Sequence, residues 1–389
     1  MPEVKRSKSS SAHAPAVSDV LRVLNDWIPF DLAADWDNVG LLLGRPDWPA
    51  RRTMLTIDLT DEVAREALVK RVQLIVAYHP PVFRPTRSLT PLTPGPTGRL
   101  PDLLAARTSI IALHTALDAA VGGTNDVLLD LFDTTDRRPL EPIVRSDRLY
   151  KLVVFVPPTE ADRLRQALSA AGAGLIGHYS ECSFELRGRG TFRGDETTRP
   201  TIGRKLELEH VDEVRLEMIV PRACLGAVVR SLYATHSYEE PAFDLYPLHE
   251  TPGRAAIGLG RVGRLRRPTV GTALLRQLER GVDLSAAMVI GKLERRFTSV
   301  TAAAGAFGVE HLRDPESLVL IGECKHHEAL ELRRRGLTAL QLGHYASERP
   351  VLEAVRSRLR QAFPGLEVLI ARSAGSPISP LRSLIPRRR

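Results

Sequence analysis

The chain has 389 residues, of which 43% are hydrophobic and 26% are charged, and its formal net charge is +8. This length exceeds what one hydrophobic core usually supports, and the composition is that of an ordinary soluble globular protein. No apolar run approaches the roughly 18 residues that a membrane-spanning helix needs, so no membrane partner is expected.

The positive charge is concentrated at the two ends of the chain. Residues 1–16 carry a net charge of +2, and residues 372–389 carry five arginines and no acidic residue, which leaves +1 for the remainder. The composition of both ends is typical of disordered tails, which can bind polyanions. The charge of the remaining residues does not indicate a basic groove in the fold. Binding of nucleic acid is therefore disfavoured. Because the N-terminal segment lacks the apolar region of a secretory signal, we expect a cytoplasmic protein.

Residues 17–143 predict alternating helices and strands. A helix near residues 17–28 is followed by the strand TMLTID, the helix TDEVAREALVKR, and the strands LIVAY and SIIAL. Strands that alternate with helices predict βαβ units on a mostly parallel sheet.

The pattern changes near residue 144. The segments YKLVVFVP, TEADRLRQALSAAG, SECSFELRGRGTFRG, EVRLEMIVP, ACLGAVVRSLYATH and FDLYPL predict the order βαββαβ, which is that of a ferredoxin-like domain. The α/β pattern then resumes with the strands LVLIG, TALQL and LEVLIA. We therefore predict an α/β protein whose core domain, residues 17–143 and 251–371, is interrupted by a ferredoxin-like domain at residues 144–250.

Polar side chains follow several predicted core strands at their carboxyl ends. TMLTID ends at Asp58, LIVAY is followed by His79, SIIAL by His114, and TALQL, after one glycine, by His344. In open α/β sheets the active crevice lies outside these strand ends. We therefore expect these side chains to face a common crevice.

Two of the histidines have a carboxylate four residues later. These pairs are His114 with Asp118 and His344 with Glu348, and each pair converges on one point if a helical turn begins at the strand end. The three cysteines are widely separated and form no CxxC pair, so a metal would be held by imidazoles and carboxylates. Such ligands suit zinc, iron, manganese and nickel. A metal site with several ligands explains this pattern better than isolated capping or packing histidines.

Five segments, in the same order, resemble the NIF-three-like dinuclear-metal-centre proteins, which are often catalogued as GTP cyclohydrolase 1 type 2 homologues. They are WDNVGLLLG, YHPPVFRP, HTALDAAVGGTND, KHHEAL and GHYASE. CSFELRGRGTFRG and HSYEEPAFDLYPL resemble the PII/CutA-like domain that is inserted in longer members. The resemblance covers about residues 17–371.

The resemblance implies two divalent metal ions and four of their ligands, His79, Asp118, His344 and Glu348, with Glu348 as the bridging carboxylate. It also implies a toroidal homohexamer.

This sequence departs from many bacterial members at one position. Those members have a second histidine directly before the His-Pro pair, where this sequence has Tyr78, as eukaryotic-type members do. His114 could substitute as a ligand or orient bound water, and we take it as the candidate catalytic proton shuttle.

Other marked residues allow two interpretations each. Asp37 and Asn38 could line the site or hold a ligand in place, or they could form a turn beside a core Trp36. His326 and His327 could donate protons or contact phosphate, or be ordinary residues of a first helical turn. A structural role is favoured for a third group, in the inserted domain: His236, Tyr238, Glu239 and Glu240.

The leading interpretation of the function is a metal-dependent hydrolase that acts on a nucleotide or another phosphoester. Two cations roughly 3.5–4 Å apart lower the pKa of a bridging water toward 7 and hold the attacked oxygen. The family name suggests hydrolytic opening of the GTP imidazole ring, but a fold does not fix a reaction, and no GxxxxGK[ST] loop is present. The alternative is a non-enzymatic metal-binding scaffold or regulatory ring. The sequence leaves the choice between enzyme and scaffold open.

Overall fold

The computed structural model describes residues 14–90, 93, 95–143, 149–249 and 256–379. The chain divides into two units: a core unit of residues 1–143 with 255–389, and an inserted unit of residues 144–254. Most of the predicted N-terminal tail and the end of the predicted C-terminal tail lie outside the described residues. Arg372 and Ser373, which composition assigned to the tail, donate their backbone N–H groups to the Glu66 carboxylate at 2.9 and 2.8 Å.

The first part of the core unit begins with a helix and then alternates strands and helices. Its elements are α1 (Val17–Trp27), β1 (Gly40–Leu43), β2 (Arg52–Thr56), α2 (Asp61–Val69), β3 (Leu74–Ala77), α3 (Leu100–Ala105), β4 (Ser109–Ala112), α4 (His114–Ala119), α5 (Thr124–Leu129), β5 (Thr134–Arg138) and β6 (Glu141–Pro142).

The second part of the core unit follows the inserted unit. Its elements are β11 (Gly258–Leu259), β12 (Arg261–Val270), α8 (Gly271–Leu278), β13 (Met288–Ile290), β14 (Arg296–Ala303), β15 (Ser317–Ile321), α9 (His326–Arg334), β16 (Thr338–Gln341), α10 (His344–Glu348), α11 (Val351–Ala362) and β17 (Glu367–Ile370).

The strands of the core unit form two main sheets. The first has the order β1-β4-β3-β2-β17, parallel except for β1, and the second has the order β13-β16-β15-β14-β12-β5 with β14, β15 and β16 parallel. Strand β17, from the end of the chain, pairs with β2, so both halves of the sequence contribute to the first sheet. A two-stranded pairing of β6 with β11 completes the unit.

The central strands of the first sheet are buried on both faces. Along β3, Val76 packs with Leu55 in one hydrophobic cluster, whereas its neighbour Ile75 packs with Met54 in another. Successive side chains of a strand point to opposite faces, so continuous apolar runs such as LIVA are expected where helices cover both faces. These strands provide rigid ends from which site residues project.

A buried arginine joins the end of α4 and helix α5 to the start of β12. Arg261, at the start of β12, is 2% exposed, and each of its donor nitrogens is hydrogen-bonded. The acceptors are Asp126 Oδ2 at 3.0 Å and the carbonyls of Gly258, Gly260, Ala119 and Ala120 at 2.6, 3.0, 3.0 and 3.1 Å. Ala119 ends α4, so Arg261 fixes the end of the helix that carries His114 and Asp118.

The inserted unit has the predicted βαββαβ order. Its elements are β7 (Leu149–Val156), α6 (Ala161–Ala170), β8 (Ser183–Phe192), β9 (Glu209–Pro221), α7 (Leu225–Thr235) and β10 (Phe243–Leu248). The strands form an antiparallel sheet of order β10-β7-β9-β8, and α6 and α7 pack on one face through Leu164, Leu168, Val228 and Leu232. Among the described residues of both units, none of the helices is long and apolar enough to cross a membrane.

Candidate metal centre

The site lies at the carboxyl ends of strands from both core sheets. The backbone ladder continues beyond β3 and β4: His79 N–H donates to Ile57 O at 2.9 Å, and His114 N–H donates to Tyr78 O at 3.0 Å. On the second sheet, Gly343 N–H donates to Gly322 O at 2.9 Å before α10 begins at His344. The histidines are therefore held by sheet hydrogen bonds rather than by free loops.

Three predicted ligands come together in one group. His79 Nε2 lies 3.6 Å from Glu348 Oε2, and His344 Nε2 lies 3.0 Å from Glu348 Oε1. The candidate ligand atoms all lie within 4.8 Å of one another. His344 and Glu348 are four residues apart on α10, which is the convergence that their spacing predicts.

The other ring nitrogen of each histidine contacts a carboxylate. His79 Nδ1 lies 2.9 Å from Asp58 Oδ1, and His344 Nδ1 lies 3.4 Å from Glu323 Oε2. Such partners fix the orientation of metal-binding imidazoles and raise their basicity. Both Nε2 atoms consequently face Glu348.

Glu348 provides the test of whether these residues fit a cation. Its side chain is 3% exposed, and Oε2 has no hydrogen-bond partner within the described ranges. An unpaired buried carboxylate oxygen is costly, and a cation would satisfy it. The space beside the carboxylate requires Gly305, because a Cβ there would lie 2.7 Å from Glu348 Oε1. The burial, the donor set and this space fit a divalent metal.

The imidazoles of His79 and His344 supply positive charge beside Glu348. The hydrogen bond between Glu348 and His344 raises the pKa of His344 to about 9, against the opposing effect of burial. Burial lowers the pKa of His79, but the hydrogen bond to Asp58 and the charge of Glu348 outweigh it and raise the pKa above the ordinary value. A cation bound here would replace these protons.

The fourth predicted ligand, Asp118, is not part of this group and contacts Tyr78 instead. The buried Tyr78 hydroxyl donates to Asp118 Oδ1 at 2.5 Å, and Thr124 Oγ1 lies 3.5 Å from the same hydroxyl. Burial raises the pKa of Asp118 to about 6 and raises the pKa of Tyr78 well above its ordinary value. Tyr78 is therefore a neutral donor to Asp118.

His114 is oriented by Asp37. His114 Nδ1 lies 2.8 Å from Asp37 Oδ1, and Thr115 donates to Asp37 Oδ2 from its backbone N–H at 3.1 Å and its hydroxyl at 2.5 Å. Burial alone would raise the pKa of Asp37, but these hydrogen bonds lower it, so the carboxylate stays ionised and accepts from His114. Of the two interpretations of Asp37, the contacts support the one in which it holds a site residue.

The other marked histidines have different surroundings. His326 and His327 are exposed at the start of α9. His236 is buried in the inserted unit, where Nε2 lies 2.9 Å from Phe155 O and Nδ1 accepts from Tyr238 N–H at 3.0 Å. These contacts are those of a structural histidine.

Sequence reasoning missed two residues of the site. Glu323 stands in the segment ECKHHE directly before the marked histidines, and its position after β15 could have indicated it. Gly305 has no signal in the sequence, because its role depends on the distant approach of Glu348.

Known proteins similar to this chain match over most of its length. The GTP cyclohydrolase 1 type 2 homolog of Halalkalibacterium halodurans is 35% identical over 346 residues, which cover 88% of this chain and 91% of that protein. The protein of the same name from Bacillus subtilis is 34% identical over 345 residues, covering 87% and 91%.

Similar folds and a family model agree with these relatives. The crystal structure of a Bacillus cereus protein related to NIF3 has a TM-score of 0.76 at 27% identity and covers 95% of this chain and 100% of that chain. A Staphylococcus aureus protein shares the fold, with a TM-score of 0.76 at 23% identity over 94% of this chain and 99% of its own. The family model Duf34/NIF3 (NGG1p interacting factor 3) matches residues 15–377. The resemblance seen in the sequence motifs is confirmed, and the chain belongs to the Duf34/NIF3 family.

Proposed function

We propose that this chain is a metal-dependent hydrolase that acts on a nucleotide or another phosphoester. The observation that carries the proposal is the buried Glu348 carboxylate, with an unpartnered oxygen and the Nε2 atoms of His79 and His344 at 3.6 and 3.0 Å. Both imidazoles are partly exposed, so one side of the group is open to water and ligand.

The proposal includes two cation positions of unequal strength. His79, His344 and Glu348 would hold the first. Asp118 and Glu348 would hold the second, without a nitrogen ligand from residue 78. When bound, divalent cations lower the pKa of water and stabilise negative charge on the attacked oxygen.

His114 would move the proton. With Nδ1 held by Asp37, the ring presents Nε2 as the atom that accepts a proton from water and returns it to the leaving group. His114 has a positive φ of 29°, a conformation that costs a non-glycine residue on the order of 1–3 kcal/mol and that clusters at functional sites. The ring centroids of His114 and His79 are 5.0 Å apart, so His114 adjoins the cation site.

Two observations support the proposed substrate class. Imidazole and carboxylate ligands leave a bound cation free to take phosphate oxygens, and several relatives are named as homologues of a GTP cyclohydrolase. We also propose a cytoplasmic location, together with the toroidal homohexamer that the sequence resemblance implies. A native mass measurement by light scattering tests the hexamer.

The experiment is a screen of the metal-reconstituted full chain against nucleotides and phosphomonoesters. We expect turnover that falls at least about 100-fold in His344→Ala, since removing a ligand removes the cation's contribution. His178→Ala is the matched control, because His178 is an exposed histidine of the inserted unit and should retain activity.

If the metal-bound protein turns over none of the nucleotides and phosphomonoesters, that result would contradict the hydrolase proposal and favour a non-enzymatic metal-binding scaffold.

A further inference from the structure

Two large aromatic side chains stand exposed beside the candidate metal centre. Trp36 is 62% exposed and Phe83 is 47% exposed, and their ring centroids are 5.9 Å apart. The Trp36 ring also lies 5.8 Å from the ring of His114. We call Trp36 and Phe83 the aromatic platform. Exposed aromatic surface next to a polar site is typical of ligand-binding surfaces.

The loops that carry the platform are fixed. Asp37, the next residue after Trp36, binds His114 and Thr115, and its side chain is fully buried. Asn38 Nδ2 donates to Val82 O at 2.6 Å, which ties the loop of Trp36 to the residue preceding Phe83. The backbone that carries the two rings is therefore held in place, which lowers the conformational entropy lost when a ligand binds them.

Neither neighbouring ring is stacked in parallel on the indole. Trp36 meets Phe83 at an interplanar angle of 64° and His114 at 72°, and its side chain is 62% exposed, so indole surface is open to a planar ligand. Planar rings of nucleobases stack on such aromatic faces without needing specific hydrogen bonds.

The surroundings select an amphipathic ligand. The platform is apolar. Beside it, the ring centroid of His114 lies 5.0 Å from that of His79, which belongs to the candidate metal centre. A ligand that covers both regions needs a planar ring at one end and an anionic group at the other. A nucleotide has this arrangement and is long enough to bridge the two.

We infer that Trp36, assisted by Phe83, stacks the nucleobase of a nucleotide whose phosphate lies at the metal centre. The inference rests on the proposed function for the position of the phosphate. It makes Trp36 the residue that selects nucleotides over other phosphoesters.

The test compares three probes on the metal-reconstituted full chain: adenosine 5′-monophosphate, ribose 5-phosphate, which lacks the base, and adenosine, which lacks the phosphate. Dissociation constants are measured by calorimetry. Trp36→Ala should weaken the binding of adenosine 5′-monophosphate by about 5- to 150-fold, the range for loss of one stacked base. It should leave the binding of ribose 5-phosphate unchanged. Trp36→Phe should retain most of the preference. Tyr179→Ala, an exposed aromatic truncation in the inserted unit, should change nothing.

The outcomes separate this inference from the proposed function. If ribose 5-phosphate binds the wild type as tightly as adenosine 5′-monophosphate, the stacking inference is wrong and the phosphoester site stands. If adenosine binds in a Trp36-dependent manner and ribose 5-phosphate does not bind, stacking is supported and the phosphoester proposal fails. A Trp36→Ala variant with altered oligomeric mass and unaltered probe preference would overturn the inference, because the platform would then be an interface between copies.

Discussion

Replacing Arg261 by lysine removes the planar fork that joins α4 to β12 while keeping the positive charge. Arg261 donates five hydrogen bonds from a buried position. An ammonium group has three donors on a single nitrogen. At least two of the five hydrogen bonds are therefore lost in Arg261→Lys, although Asp126 Oδ2 and Ala120 O each keep a backbone donor, Gly122 N–H at 2.8 Å and Gly123 N–H at 3.1 Å.

The expected cost follows from these lost hydrogen bonds. Each hydrogen bond from a charged donor contributes about 1.5–3 kcal/mol, so the loss of two in Arg261→Lys should destabilise the core unit by about 3–6 kcal/mol. This is a large fraction of the roughly 5–15 kcal/mol by which domains are stable. Because α4 carries His114 and Asp118, the same change should loosen the proposed second cation position.

Hydrogen exchange followed by mass spectrometry measures this effect separately in the two units. We expect amides in α4 and β12 to exchange about 30-fold faster or more in Arg261→Lys, which corresponds to about 2 kcal/mol, with β7 of the inserted unit as internal reference. Arg264→Lys is the matched control, because Arg264 is an exposed arginine on the same strand. An acceleration below about fivefold in α4 and β12 would refute the role given to the arginine fork.

Three further predictions concern the second cation position, the Glu66 carboxylate and the inserted unit. Tyr78→His should supply the missing nitrogen and raise the affinity of the weaker of two sites in a calorimetric metal titration; equal sites in the wild type, one of them weakened by the substitution, would contradict it. The pKa of Glu66 is lowered to about 2, since hydrogen bonds from Lys70 and Ser373 outweigh burial. Its stabilising effect is thus complete above the unfolded value near about 4.3 and lost as pH falls toward about 2. In thermal melts, the melting temperature of the wild type should exceed that of Glu66→Gln by less and less as the pH falls through that window. A difference that stays constant with pH would contradict this role of Glu66. Deleting residues 144–254 should leave a core that still binds metal, whereas aggregation or metal loss in the deletion would show that the inserted unit is not separable.

The parts of the fold that depend on local pattern could be predicted from the sequence. LIVA and SIIA are buried strands because their apolar runs are covered on both faces, and His344 with Glu348 forms a helical turn as the spacing indicates. The division of the core strands into two sheets could not be predicted, because it depends on long-range pairing such as that of β17 with β2.

The site shows the same limit. Strand ends indicated His79, His114 and His344, because the carboxyl ends of parallel strands meet at one edge. The contact of Tyr78 with Asp118 is specific to the packing of two distant segments, and no periodicity encodes it.

Elemental analysis of the protein after reconstitution with zinc, iron, manganese or nickel tests the central claim most directly. The wild type should hold at least one divalent metal per chain, Glu348→Gln should lose it while remaining folded, and the exposed-histidine variant His327→Ala should keep it. Glu348→Gln with the full metal content of the wild type, or a wild type that holds none of the four metals, would contradict a metal centre at this carboxylate.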